Sequence, residues 1–390
     1  SISDTLKTCT NLRVLSLESL TNLTDVSFLS SLNKLEYLDI FGCYGITSLK
    51  VLENNCPKLI NLALNNKNID LSEFQTCINR LRGNVEGSYL GVMYRGLAIN
   101  REIAKNLGSL DKVKKLTLSF RYDVGIYEDQ IDLSNCSSLL EFACYYCGIG
   151  FKFPSTIERI TYQFYNPNLA SSEMGKIDLS LCSNLTYLLI APRMVFESDT
   201  GLNSLNSCES LEDLTFDSIN TLNFDFSWIK DLKNLNNIKI VGENNVSSKI
   251  IFSGALNIPE CLENLTVNDV NKVEGLSAIG KVKEVEITNT DLDNLDFMEG
   301  TNSVITLNVN DCKITSLISL SNCVKLKNFY AMNNKIDDGS SLLGYNLDVL
   351  SNLHNNYNLE NVTLSGNNLI TDWTAVSSIE GWDSSTYSGW

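Results

Sequence analysis

The sequence predicts a one-dimensional α/β solenoid: short strand-plus-return units stacked so that their strands line up in a parallel sheet. Three observations predict it. Apolar residues recur in LxxLxL strings, the strings restart at steps that mostly fall between 20 and 28 residues, and small Cys and Asn residues return to fixed slots in each unit. The clearest unit is Val304 to Leu326, VITLNVNDCKITSLISLSNCVKL. Leu307 and Val309 are two apart and point to one side of a short strand, while Thr306, Asn308 and Asn310 point to the other. Leu317 and Leu320 are three apart and read as a turn or short helix that packs back on that strand. One such unit cannot bury its apolar edge alone, whereas stacked copies can.

The pattern LxxLxLxx(N/C)xI followed by a variable return segment resembles a leucine-rich repeat. The units from Leu262 to Leu326 are similar to the short repeats of bacterial internalins, and to those of the phosphatase regulator that shares their 22-residue period. The second unit, LEYLDIFGCYGITSLKVLENNCPKL, has the Cys-rich flavour of F-box-type repeats, so the array is mixed. What the resemblance implies is a curved horseshoe with a parallel sheet on its concave face. Short helices, 3-10 turns and loops would line the convex face.

Taken in order, repeat starts read at Leu12, Leu35, Leu59, Val113, Leu139, Ile157, Leu185, Leu211, Leu235, Leu262, Val282, Val304, Leu326 and Leu359, about 14 in all. The whole chain, 1–390, reads as a single repeat domain, because a solenoid grows in one dimension. Two places break the period. From 78 to 112 the register is lost: LGVMYRGL is a possible strand, and Asn100 to Leu110 carries Ile103, Ala104, Leu107 and Leu110 at helical spacing. A degenerate repeat and a protruding functional insertion are the two readings of this stretch. From 333 to 358 the return segment is longer and predicts a helix over Ser340 to Leu353. The tail, 373–390, lacks a polar capping repeat, and Trp373, Ile379, Trp382 and Trp390 are candidates for an improvised cap; alternatively the tail begins a further domain.

Composition narrows the function classes. Hydrophobic content of 43% and a mean hydropathy near zero suit a folded soluble chain. No apolar run is long enough to span a membrane. A formal charge of −16 and a pI of 4.6 would repel nucleic-acid phosphates over most of the surface. The sequence starts close to the first repeat with no apolar leader, which suggests either a cytosolic protein or a trimmed piece of a longer one, the abrupt start favouring the second.

Twelve cysteines would ordinarily suggest disulfides or metal. The repeat absorbs most of them. Cys9, Cys56, Cys136, Cys182, Cys208 and Cys323 each lie three residues before a repeat's first apolar residue, and Cys43, Cys147 and Cys312 fill the Asn/Cys slot. Stacking turns such positions into ladders of small buried side chains. The only close pair, Cys144 and Cys147, has no second pair at zinc spacing. Mostly free thiols point to a reducing cytosol or an anaerobic source. The lone histidine, His354, lies in a polar turn with no nucleophile motif beside it, and Asp337–Asp338 and Asp291 with Asp293 read as solubilising loop acids. No phosphate-cradling, dinucleotide, zinc-protease or EF-hand motif occurs. The reading is therefore no enzyme, no cofactor and no metal.

The informative positions are the strand residues that face away from the core. Exposed aromatics beside Arg are what protein-binding hot spots are enriched in, which selects Tyr37, Phe41, Tyr145, Arg159 and Tyr187; Gln163 and Asp213 complete the candidate ligand-binding set. The C-terminal outward residues, Asn237 to Asn310, read as a solvated stretch. The leading expectation is a protein-binding module, a bacterial cell-surface adhesin or host-interaction ectodomain fragment engaging a protein of a host or neighbouring cell through the concave face. The alternatives are an intracellular regulatory scaffold, which would be cytoplasmic, and a glycan-binding surface protein.

Overall fold

The computed structural model describes residues 2–82, 95–120, 130–145, 149–163, 177–191, 202–219, 224–225, 227–242, 249–251, 258–276, 279–321, 323–336 and 358–367. It divides into two compact units, Ser1–Cys208 and Glu209–Trp390.

Unit 1 opens with helix α1 (Ile2–Lys7), and its strands alternate from the fifth onward between a front ladder and a return ladder. They are β1 (Val14–Ser16), β2 (Tyr37–Asp39), β3 (Asn61–Ala63), β4 (Leu97–Ile99), β5 (Lys115–Phe120), β6 (Gln130–Asp132), β7 (Glu141–Tyr145), β8 (Gly150–Lys152), β9 (Arg159–Gln163), β10 (Ile177–Asp178) and β11 (Tyr187–Ala191). The front order is β1-β2-β3-β4-β5-β7-β9-β11, all parallel, and β6-β8-β10 forms a separate parallel ladder. Unit 2 repeats the plan. Its front is β12 (Asp213–Ile219), β14 (Asn237–Gly242), β16 (Asn264–Asn268), β18 (Glu284–Thr288), β19 (Thr306–Asn308), β20 (Asn328–Tyr330) and β21 (Asn361–Thr363). Its return ladder is β13 (Phe224–Asp225), β15 (Lys249–Ile251) and β17 (Lys272–Glu274).

Period-2 alternation decides which side of each front strand is core. In unit 1 the inward rows are Leu116, Phe142, Ile160 and Leu188, then Leu118, Cys144, Tyr162 and Ile190, all buried and in register across β5, β7, β9 and β11. Phe142 meets Phe151 at 4.8 Å and Phe153 at 5.0 Å, tying the front ladder to the return ladder. The fully buried Tyr162 satisfies its hydroxyl by donating to the Ile149 carbonyl at 2.7 Å. A buried phenol without that partner would be costly.

The cysteine row has a specific geometry. At five of the six row positions the amide of the repeat's first apolar residue closes a turn onto the cysteine carbonyl, as in Leu59 to Cys56 at 3.0 Å, Leu139 to Cys136 at 2.9 Å and Leu326 to Cys323 at 2.9 Å. That turn is why the spacing is three. The thiol then donates to a carbonyl of the preceding unit, Cys56 to Leu29 at 3.1 Å and Cys136 to Leu107 at 3.3 Å. Only a small side chain with a weak donor fits between stacked units there. Burial pushes the Cys56, Cys136 and Cys323 thiols up to about 11, and those of Cys77 and Cys208 to about 12. None of the eleven described cysteines is in a disulfide, and Cys9 and Cys261 are partly exposed; Cys147 lies outside the described residues.

The Asn/Cys slot uses fuller hydrogen bonding. Asn334 donates to the carbonyls of Val309 (2.8 Å) and Met332 (3.1 Å) while its Oδ1 accepts from the Ile314 amide (2.9 Å). Asn367 and Asn66 bridge neighbouring loops in the same way, and Cys43 and Cys312 donate to Leu17 and Ile287. Such groups keep the polar backbone of each tight corner satisfied inside the stack.

The described part of the stretch from 78 to 112 fits the degenerate-repeat reading: β4 pairs between β3 and β5 and adds a front strand to those whose starts were read from the sequence. Gly96, at φ +67°, makes its entry possible: a Cβ there would lie 2.4 Å from the Thr117 carbonyl oxygen. The amphipathic segment behind it is α2 (Arg101–Ala104) followed by a 3-10 turn at Leu107–Ser109, with Ile103, Ala104, Leu107 and Leu110 buried as the spacing predicts. The return segments are also not only turns and helices: β6, β8 and β10, and β13, β15 and β17, make ladders of their own. Residues 83–94, the predicted helix at Ser340–Leu353, His354, Asp337, Asp338 and the tail from 373 lie outside the described residues.

Candidate functional site

The outward rows of unit 1 can be read directly from the strand register. One row is Lys115, Glu141, Arg159 and Tyr187; the next is Thr117, Ala143, Thr161 and Leu189; the third is Ser119, Tyr145, Gln163 and Ala191. Lys115 Nζ meets Glu141 Oε1 at 2.6 Å, and the next pair along the row is Arg159 lying over the Tyr187 ring, 4.1 Å from its centroid. The ion pair is about half exposed and holds the two chains in place more than it stabilises the fold. A guanidinium stacked at this distance on an exposed face is worth about 0.5–1 kcal/mol. The contact uses the face of the guanidinium and consumes none of its N–H donors.

A second stacked arginine enters from β4's approach. Arg95 lies over Tyr145, 5.1 Å from its centroid. Its backbone is clamped by the buried Ser119, whose hydroxyl donates to the Arg95 carbonyl (2.5 Å) and accepts from the Arg95 amide (2.7 Å). Gly96, the next residue, donates to Asn61 Oδ1 at 2.8 Å. Among the described residues neither Arg95 nor Arg159 has a carboxylate within ion-pair distance. Arg95 and Lys115 were not among the sequence candidates. Lys115 could have been found, since the LxxLxL rule applied at Val113 makes Lys115, Thr117 and Ser119 outward. Arg95 could not, because its strand lacks a legible repeat start.

The structure brings together Tyr145, Arg159, Gln163 and Tyr187, on three adjacent front strands. It does not add Tyr37 and Phe41 to an exposed face: each is only 8% exposed. Tyr37 does occupy an outward position of β2, but its hydroxyl folds down to Asp39 (3.4 Å), and Asp39 also accepts from the Phe41 amide (2.9 Å). The outward positions of β2 to β4, including Asp39, Asn61, Ala63 and Ala98, are closed in this way. Asp213 belongs to unit 2, where it accepts from Asn237.

The outward rows of unit 2 have a different character. Asp213, Asn237, Asn264, Glu284, Thr306, Asn328 and Asn361 form one row; Thr215, Lys239, Thr266, Glu286, Asn308, Tyr330 and Thr363 form the next. Asn264 donates to Asn237 at 2.5 Å, Asn328 to Thr306 at 3.1 Å and Asn361 to Asn328 at 2.7 Å. Asn268 donates to Glu286 at 2.8 Å and accepts from Thr288 at 2.9 Å. At the strand ends Asp269, Asn289, Asp311 and Asn333 take positive φ, a conformation Asx residues tolerate, and pair as Asn289 to Asp269 and Asn333 to Asp311. No described helix is long and apolar enough to cross a membrane. Among the described residues no group of three His, Cys, Asp or Glu side chains is placed to hold a metal ion.

No protein-family model and no curated protein matches the chain. Solved structures do align with it. An internalin (inlF) from Listeria monocytogenes is 15% identical over 98% of this chain and 87% of its own, with a TM-score of 0.43. A leucine-rich repeat protein of Leptospira interrogans is 15% identical, covering 94% and 93%, with a TM-score of 0.42. The functional domain of InlJ from Listeria monocytogenes, which includes a cysteine ladder, is 16% identical, covering 86% and 75%, at 0.41. The fold rests on the chain's own geometry: parallel front strands one per repeat, inward apolar rows, and Asn or Cys in the corner slot. Each unit is a leucine-rich repeat solenoid.

Proposed function

We propose that this chain is a protein-binding module that engages another polypeptide through the front of β5, β7, β9 and β11. The reading extends to a cell-surface or secreted role in a bacterial adhesin-like protein, with a partner on a host or neighbouring cell. One observation carries the binding reading. Tyr145, Gln163, Arg159 and Tyr187 are grouped on a rigid ladder, with small Thr117, Ala143 and Thr161 between them. Large planar side chains held at low entropic cost around a shallow centre are what a protein hot spot needs. The second reading, an intracellular scaffold, is favoured by the free, buried cysteines, which need no oxidising compartment.

The test is the triple substitution Tyr145→Ala, Arg159→Ala, Tyr187→Ala. Proteins retained by the immobilised wild-type chain should be lost by the variant, while its thermal unfolding shifts little because all three side chains sit outside the core rows. Undiminished capture by a folded variant would remove the binding reading. A gene whose upstream region encodes an intracellular domain would instead favour the scaffold.

A further inference from the structure

We infer that the partner presents an extended acidic segment to this face, with two carboxylates about five residues apart. The inference rests on the protein-binding reading above and names the chemistry of its partner. Across a chain of net charge −16, the outward rows of β5 to β11 and the stacked Arg95 carry three cations, Arg95, Lys115 and Arg159, against one carboxylate, Glu141. Lys115 is already paired with that carboxylate. The two arginines are not paired within the described residues, and both are held: Arg159 by Tyr187, Arg95 by Tyr145 and by the Ser119 clamp on its backbone.

A guanidinium held over a ring keeps its planar fork of N–H donors, the geometry that takes a carboxylate with two parallel hydrogen bonds. The ordering cost of these long side chains is largely met before a ligand arrives. Spacing then defines the ligand. Tyr145 and Tyr187 are four positions apart along the strand register and two strands apart, which is about 13 Å by about 10 Å, or about 16 Å on the diagonal. An extended chain covers that distance in about five residues. Between the two arginines the ligand would cross Thr161, Ala143 and Gln163, which leave room for a backbone and offer it hydroxyl and amide partners.

The experiment uses the full chain and a phage-displayed library of random twelve-residue peptides. Selected sequences should be enriched in pairs of Asp or Glu four to six residues apart. The synthetic form of the most enriched peptide should bind R95Q/R159Q at least tenfold more weakly than wild type, and R95K/R159K at an intermediate level, since lysine keeps the charge and loses the fork. Circular dichroism melting of both variants should match wild type. Peptides without the acidic pair that bind R95Q/R159Q normally yet fail on Y145A/Y187A would overturn the acidic partner and leave the protein-binding face standing. Peptides indifferent to all four substitutions would overturn both, and a selection that enriches nothing would overturn the inference.

Discussion

On the front of unit 1, strands β5 to β11 present two arginines stacked on tyrosines, with small residues between them. On the front of unit 2, the same repeat positions hold asparagines, threonines and acids that hydrogen-bond to one another along the ladder. Both faces are built by one rule, the residue before, between and after the last two apolar positions of LxxLxL. They differ in whether their polar groups are already satisfied. Asn264 and Asn361 spend donors on their neighbours, so a ligand must displace bonds to gain any. Among the described residues, Arg95 and Arg159 are oriented without being neutralised. A repeat can thus be polar and inert, or polar and available, and what separates the two is the partner one strand away.

The largest expected effect separates the two units through their cysteines. The thiols of Cys56, Cys136 and Cys323 ionise near 11 when folded, against 9.0 as the ordinary value, because burial disfavours the thiolate. A group whose folded pKa is raised stabilises the fold below the unfolded pKa, and that stability is lost as pH climbs through the folded one. Stability should therefore fall between pH 9 and about pH 11. Unit 1 holds Cys43, Cys56, Cys77, Cys136, Cys144, Cys182 and Cys208 in its core, whereas unit 2 holds Cys312 and Cys323 buried and Cys261 only partly so. Brief proteolysis across that range should cut unit 1 first. Earlier cutting in unit 2 would show that the cysteine rows do not set alkaline stability.

A smaller effect separates buried from outward asparagines. Asn334→Ala strands the carbonyls of Val309 and Met332 and the Ile314 amide inside the stack, and should cost about 1–3 kcal/mol in denaturant unfolding. Asn237→Ala removes the outward links to Asp213 and Asn264, which water can replace, and should stay within about 0.5 kcal/mol of wild type. Equal costs would mean that the outward ladder contributes to the fold and is not merely a solvated surface.

Most of the ladder was legible in the sequence because stacking repeats its constraints. Each start from Leu12 to Leu359 leads into a front strand, and the three-residue offset of Cys56 or Cys136 reflects one hydrogen-bonded turn. What the sequence concealed lies where a repeat is held by something other than Leu spacing. Strand β4 depends on Gly96 approaching Thr117 and on the Ser119 clamp, neither of which leaves a periodic trace. The return strands β6, β8 and β10 are too short for alternation to show. Tyr37 was assigned to an outward position of β2, but position does not determine exposure: its hydroxyl bends to Asp39 and the face closes over it. The candidate site was half visible for the same reason, with Arg159 and Tyr187 given by the repeat and Arg95 given only by the fold.

The front tyrosines offer the most direct measurement. Tyr145 and Tyr187 lie on the outward rows of unit 1 and Tyr330 on an outward row of unit 2, so one residue type reports on both faces. Hydroxyl-radical footprinting of the full chain, with and without a captured partner, should show Tyr145 and Tyr187 protected on binding and Tyr330 unchanged. Protection of Tyr330 with Tyr145 and Tyr187 still fully reactive would contradict the account.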